Sequence, residues 1–253
     1  MIKPLSVVLM ACFLFSSCAS TDKQELSKEE KSKMFVEMAS ANLNEGDPTS
    51  ALIYLKQAQE TTPNAPEIHY LLSLTYLHKN EIGLATRSAQ RAIQLAPRFS
   101  AAKNTLGKIY LDSGRLVEAE KYLKEAAQDL TYREAFIAKT NLGYLYNKKL
   151  NQSEAERWYT KAIYDGGDSA CMASYYRGQL YLDQNHLDKA NLDFTRASKK
   201  GCAQFAEAHL AVGKTLLRMK KFDQARAKLI EVQQLFPTSE ASNKASDYMR
   251  EIP

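Results

Sequence analysis

The sequence has few residues that break regular structure. Ten glycines and seven prolines in 253 residues leave no room for collagen-like or low-complexity stretches. Long hydrophobic runs are almost missing. The one that stands out, Leu5 to Phe15, has eleven residues and is too short to span a bilayer as a helix. Charge of one sign is missing too. The 34 basic and 29 acidic residues are scattered, the net charge is +5, and no basic tract demands a nucleic acid. What remains is 45% apolar and 25% charged, ordinary for a soluble globular chain with ample length to bury a core.

Catalytic constellations are also missing. His69, His78, His186 and His209 form no His-x-x-x-His pair. No glycine-rich phosphate loop is present, and Gly166-Gly167 reads as a turn. Carboxylate pairs such as Glu118 and Glu120 read as solvated helix faces. The expectation is a protein that is not an enzyme, with no metal, cofactor or small-molecule substrate.

The N-terminus reads as an address. Lys3, the apolar Leu5–Phe15 segment and the small Ser16-Ser17 pair lead to Cys18, the pattern of a secretory signal peptide over residues 1–17. The small residues before the cysteine resemble a bacterial lipobox. That resemblance implies cleavage before Cys18 and lipidation of that cysteine, an anchor that holds firmly with two or more chains. Ala19, in place of Asp, points to the outer membrane. Residues 18–31 read as a tether reaching roughly 40 Å when extended.

The rest of the chain repeats. Small residues recur at Ala39, Ser73, Gly107, Gly143, Gly178 and Gly213, at spacings of 34, 34, 36, 35 and 35. Twelve residues after each comes alanine: Ala51, Ala85, Ala119, Ala155, Ala190 and Ala225. Each unit carries two apolar helical stripes; in the third, Leu106, Ile109 and Tyr110 form one, and Val117, Ala119, Leu123 and Ala126 the other. Gly46, Asn80, Gly114 and Asn185 fall between the two helices and suit a left-handed turn, whereas Leu150 and Lys220 at the same place predict less regular turns.

This pattern resembles the tetratricopeptide repeat over residues 32–237. It implies an all-α fold: a right-handed superhelical solenoid of six helix hairpins (about 32–65, 66–99, 100–135, 136–170, 171–205 and 206–237) plus a capping helix within 238–253. The small residue of the first helix and the alanine of the second let the pair approach closely. Cys171 and Cys202 are an even pair at neighbouring helix ends in an exported chain. They read as a disulfide, with burial as two small apolar residues as the alternative.

A solenoid of this kind presents a concave face lined by its first helices. By repeat phase, Val36, Leu43, Tyr70, Leu74, Leu77, Leu111 and Tyr144 are the candidate partner-binding residues there, with the first two units the most apolar. A lipoprotein leader followed by six repeats resembles the type IV pilus pilotin family. So do the enlarged spacing between units three and four and the stretch Ala138-Lys-Thr-Asn-Leu-Gly143. The resemblance implies a scaffold that binds the outer-membrane secretin PilQ and promotes its localisation and multimerisation. Alternatives are an outer-membrane-protein assembly scaffold resembling BamD and a peptidoglycan-enzyme adaptor resembling NlpI.

Overall fold

A computed structural model of the chain describes residues 26–253. The proposed signal peptide, the Cys18 acylation site and most of the tether therefore lie outside the described residues. The first helix begins earlier than expected. The reason is local. Ser27 accepts from the Glu30 backbone N–H while the Glu30 carboxylate accepts from the Ser27 N–H at 2.8 Å, a reciprocal capping box. Residues 28–31, read from sequence as the end of the tether, are the first turn of α1 (Lys28–Asn44).

Twelve helices then pair in order. They are α1 with α2 (Pro48–Thr61), α3 (Pro66–His78) with α4 (Ile82–Leu95), and α5 (Ser100–Asp112) with α6 (Leu116–Gln128). Next come α7 (Ala135–Lys148) with α8 (Gln152–Gly166), α9 (Cys171–Asp183) with α10 (Leu187–Arg196), and α11 (Ala206–Arg218) with α12 (Phe222–Leu235). A thirteenth, α13 (Glu240–Arg250), closes the C-terminal end. Its Ala241 and Ala245 pack against Leu229 and Val232.

The repeat signature is the contact between the two helices of each hairpin. Ala39, Ser73 and all six alanines of the second helices have no exposed surface. A Cβ at Gly107 would stand 2.7 Å from Leu123, one at Gly178 2.7 Å from Phe194, and one at Gly213 2.7 Å from Leu229. At Gly143 it would run into the ring of Tyr159. The missing side chain on one helix is the space filled by a large one on its partner. Val117 departs from the expected stripe: it is 77% exposed, on the opposite side of α6 from the buried face that Ala119, Leu123 and Ala126 share.

The interhelix turns are more uniform than the sequence suggests. Asn80, Leu150 and Lys220 all sit at φ 58° and Asn185 at 62°, beside Gly46 and Gly114 at 80° and 74°. At each, two backbone bonds close the helix end. In the fourth unit, Leu150 N–H donates to Asn147 and Asn151 N–H to Tyr146, both at 2.9 Å. Hairpin stacking imposes the left-handed conformation even on a leucine that would avoid it, so the expected irregularity at Leu150 and Lys220 is absent.

Candidate partner-binding groove

The first helices approach one another along the stack, α1 to α3, α3 to α5, α5 to α7 and α7 to α9, while the second helices make their main contacts with their neighbours in chain order. The first helices are therefore crowded on the inside of the curve and line the concave face. Val36, Tyr70, Asn104, Thr140, Tyr175 and Leu210 form one row along it, three residues before each small residue.

At its N-terminal half the groove is built around Tyr70. The ring of Phe99, the residue just before α5, lies 5.0 Å from that of Tyr70. Burial raises the Tyr70 phenol above its ordinary pKa, the Glu134 charge adds to this, and a hydrogen bond with Thr105 opposes it. Tyr132 comes from the enlarged link between the third and fourth units and folds into the same place. Its phenol is raised well above the usual range by burial, by Glu134 and by Tyr70, and Asn104 shares a hydrogen bond with it. Asn104 in turn accepts from the Asn141 amide at 3.0 Å.

Further along, Lys108 donates to Asp112 at 2.7 Å, one turn away on α5. Tyr144 and Tyr176 meet at 5.2 Å, and the Lys148 ammonium stands 5.2 Å from the Tyr144 ring. Tyr175 continues the aromatic row, 6.0 Å from Tyr176 and 4.9 Å from Phe205. Beneath this row a cavity of about 330 Å³ opens between α5, α7 and α9. Phe136, Thr140, Ala173 and Tyr176 form its walls, and Ile137 and Met172, 36% and 41% exposed, stand at its lip. Cys171 borders it and is bonded to Cys202, with Cα atoms 5.5 Å apart. The bridge ties the start of α9 to the 3-10 turn Lys200–Cys202, and an ion pair between Lys200 and Asp168 at 2.9 Å joins the same two loops.

Of the residues expected on the concave face, Val36, Leu43, Tyr70, Leu74, Leu77 and Tyr144 are half-buried. Leu111 is not available. It has no exposed surface and packs in one cluster with Leu142 and Leu145 of the following hairpin. In this unit the next first helix settles over that place, four residues after the small one, and Leu182 is buried in the same way. The balance of the face also differs. The aromatic surface is concentrated over the second to fifth hairpins, not the first two. Tyr132, Tyr176, Phe99, Phe136 and Phe205 complete it, and repeat phase alone does not flag any of them.

The histidines at matching repeat positions are structural. His69 Nε2 donates to the Pro63 carbonyl at 2.8 Å, and His209 Nε2 to that of Ala203 at 3.0 Å. His209 has its pKa lowered by burial and by the Lys228 charge, and Lys228 donates to its Nδ1 at 2.9 Å. With Nε2 bonded to a loop and Nδ1 accepting, the neutral ring is the favoured form. The groove thus offers aromatic faces, amides and one exposed Lys–Asp pair. That chemistry suits a polypeptide, which can stack apolar side chains and bond through its backbone.

The tetratricopeptide-repeat family profile matches residues 36–98, 80–132, 104–170 and 175–240. Among solved structures, PilF of Pseudomonas aeruginosa matches at a TM-score of 0.71 and 18% identity, over 87% of this chain and 99% of that one. PilW, described as a widely conserved type IV pilus biogenesis factor, matches at 0.71 and 18%, over 84% and 97%. The anaphase-promoting complex subunit CDC16 of Saccharomyces cerevisiae is 26% identical over 151 residues. That stretch is 58% of this chain, and the chain spans 18% of the yeast protein's length. With its in-phase hairpins and the profile running through nearly all of them, the chain belongs to the tetratricopeptide-repeat family.

Proposed function

We propose that this chain is a pilotin: an outer-membrane lipoprotein, anchored through Cys18, whose groove binds the type IV pilus secretin PilQ and promotes its localisation and multimerisation. The observation that carries the reading is the end-to-end likeness to two pilus-biogenesis proteins, 99% and 97% of whose chains are covered. A shared repeat alone would match a fragment of a larger scaffold. Here nearly the whole of each neighbour is spanned. The proposed role is non-catalytic, in keeping with a tetratricopeptide-repeat scaffold that works by binding other proteins.

The test is made in cells. Tyr144→Ala combined with Tyr176→Ala removes the aromatic pair over the cavity, and buried aromatic anchors cost ~1–4 kcal/mol at interfaces. Heat-resistant secretin multimers should fall about tenfold or more while the lipoprotein stays at its normal level. Cys18→Ala should release the protein from membranes. Normal multimers in a strain lacking the whole gene would overturn the reading.

A further inference from the structure

Charge is unbalanced at one place on the outer side of the stack. From Ile82 to Leu111 the chain holds five cations, Arg87, Arg91, Arg98, Lys103 and Lys108, and no Asp or Glu. Lys103 and Lys108 reach carboxylates beyond that stretch, Glu125 and Asp112, both at 2.7 Å. Arg87 and Arg91 stand exposed one turn apart on α4 and meet no carboxylate among the described residues. Arg91 donates instead to the Asn64 amide oxygen at 2.9 Å, and Lys56 of α2 to that of Gln59 at 3.3 Å. These three cations share the walls of a cleft of about 280 Å³ between α2 and α4 that no carboxylate borders. Of the six second helices, α4 alone carries no acidic residue. On the others, cations stand beside carboxylates: Lys124 by Glu120, Arg157 by Glu154, Arg196 by Asp193. At the repeat position of Arg91, the third and sixth units have Glu125 and Glu231, paired with Lys103 and Lys228.

We infer that this patch is a contact for anionic phospholipid headgroups, so that the outer side of the first two hairpins rests on the membrane. Guanidinium groups bond phosphate through paired N–H donors. Two of them one turn apart, with an ammonium across a cleft, complement a surface of phosphodiesters. Two observations select a membrane over a soluble acidic partner. The first is Ile53, which holds the same repeat position on α2 as Arg87 on α4 and is 56% exposed. An exposed apolar side chain among cations suits the boundary between headgroups and acyl chains. The second is reach. Lys28 opens α1 ten residues after Cys18, a span of at most about 36 Å. From there α2 packs on α1, α3 on α2 and α4 on α3. Under the lipoprotein reading, on which this choice of partner rests, the anchor holds the first two hairpins beside the headgroups and raises the effective concentration of the contact. The patch faces away from the groove, which stays open to a polypeptide.

The experiment uses the full chain as cells process it, reconstituted on vesicles of phosphatidylcholine alone or mixed with an equal share of phosphatidylglycerol. Gln94→Cys, exposed on α4 beside Arg91, carries a fluorophore, and Asn243→Cys, exposed on α13 at the far end, carries it as the control. Phospholipids with a nitroxide headgroup should quench the Gln94→Cys label about fivefold more strongly in the mixed vesicles than in phosphatidylcholine alone. The Asn243→Cys label should show no such difference. Arg87→Glu with Arg91→Glu should abolish the difference, and so should high salt on the chain with both arginines intact, through screening. Equal quenching of the Gln94→Cys label in both vesicles would overturn the contact and leave the patch to a soluble acidic partner. A difference that survives both charge reversal and salt would overturn it as well. Flotation with phosphatidylcholine vesicles reads the Cys18 anchor separately. Its failure counts against the lipoprotein reading, whereas equal quenching in chains that float counts against the patch alone.

Discussion

The ring of Phe205 leans on that of Tyr175 at 4.9 Å and 54°, and Phe99 meets Tyr70 at 5.0 Å and the same 54°. The two pairs are one arrangement used twice. A tyrosine stands three residues before the small residue of one unit, and a phenylalanine opens the next. Where the first place holds Val36, Asn104 or Thr140, the second holds Ala65, Ala135 or Ala170. The pair therefore acts as a unit that builds groove wall and joins consecutive hairpins. A double-mutant cycle of Tyr175→Ala and Phe205→Ala in urea unfolding should show a coupling of about 0.5–1.5 kcal/mol. Strictly additive losses would mean that the rings merely coexist.

Gly143 tests the hairpin contact. Its missing side chain makes room for Tyr159, which is 1% exposed and cannot swing out without opening the core. Gly143→Ala should destabilise the protein by about 1–3 kcal/mol through overpacking, against the usual benefit of alanine in a helix. The same change at Gly83, where an added Cβ meets only Arg87 at 3.8 Å, should be neutral or mildly stabilising. Thermal melts of both variants side by side decide it; equal melting temperatures would contradict the packing.

How much of this was legible before the structure follows from the same geometry. The repeat phase could be read because a close contact such as Gly107 on Leu123 tolerates few residue types. The groove was harder. Leu43, Leu77 and Leu111 occupy one repeat position, yet the first two stay half-open and the third is sealed. What decides this is how the next first helix docks, and that rotation is not written into either helix alone. Tyr132 lies in the longer link between the third and fourth units, where repeat phase gives no direction for a side chain. Phe99 and Phe205 did leave a trace, the Tyr–Phe and non-Tyr–Ala pairing, visible only when consecutive units are read together.

Leu150 offers a gain. It holds φ 58° and is 88% exposed, so it contributes no packing to offset the steric cost of a left-handed leucine. That cost is about 1–2 kcal/mol and is absent for glycine. Leu150→Gly should therefore raise the unfolding free energy by about 1 kcal/mol, partly reduced by the greater freedom of the unfolded chain. A lowered urea midpoint would show that the turn is not held in this conformation in solution.

Acid should weaken the middle of the stack. Partial burial pushes the Glu120 carboxyl up, but hydrogen bonds from Lys124 at 2.6 Å, Lys149 and the Tyr146 hydroxyl at 2.7 Å outweigh it and hold it at about 2. Its folded pKa lies below the ordinary value of 4.5, so its contribution is complete above that value. It is lost as pH falls from there toward 2. With solvent screening the effect is on the order of 1 kcal/mol. Glu120→Gln should flatten the pH dependence of stability in this window while lowering stability at pH 7. An unchanged slope would show that other carboxylates carry it.

The Cys171–Cys202 bridge closes a loop across a sequence separation of 31 and restrains the unfolded chain accordingly. Its removal should cost about 2–4 kcal/mol. The position makes the loss local as well as global. Cys202 sits in the short turn that follows α10, the shortest of the paired helices, and Cys171 opens α9 at the edge of the groove cavity. Denatured, unreduced protein should show neither of these thiols reactive. Cys171→Ser with Cys202→Ser should lower the melting temperature, and hydrogen exchange should quicken first across residues 197–205 and the start of α9. The distant first hairpin should keep its protection, because a solenoid passes stability only between neighbours. Uniform loss of protection along all the hairpins would mean that the stack unfolds as a single unit and that the bridge has no local role.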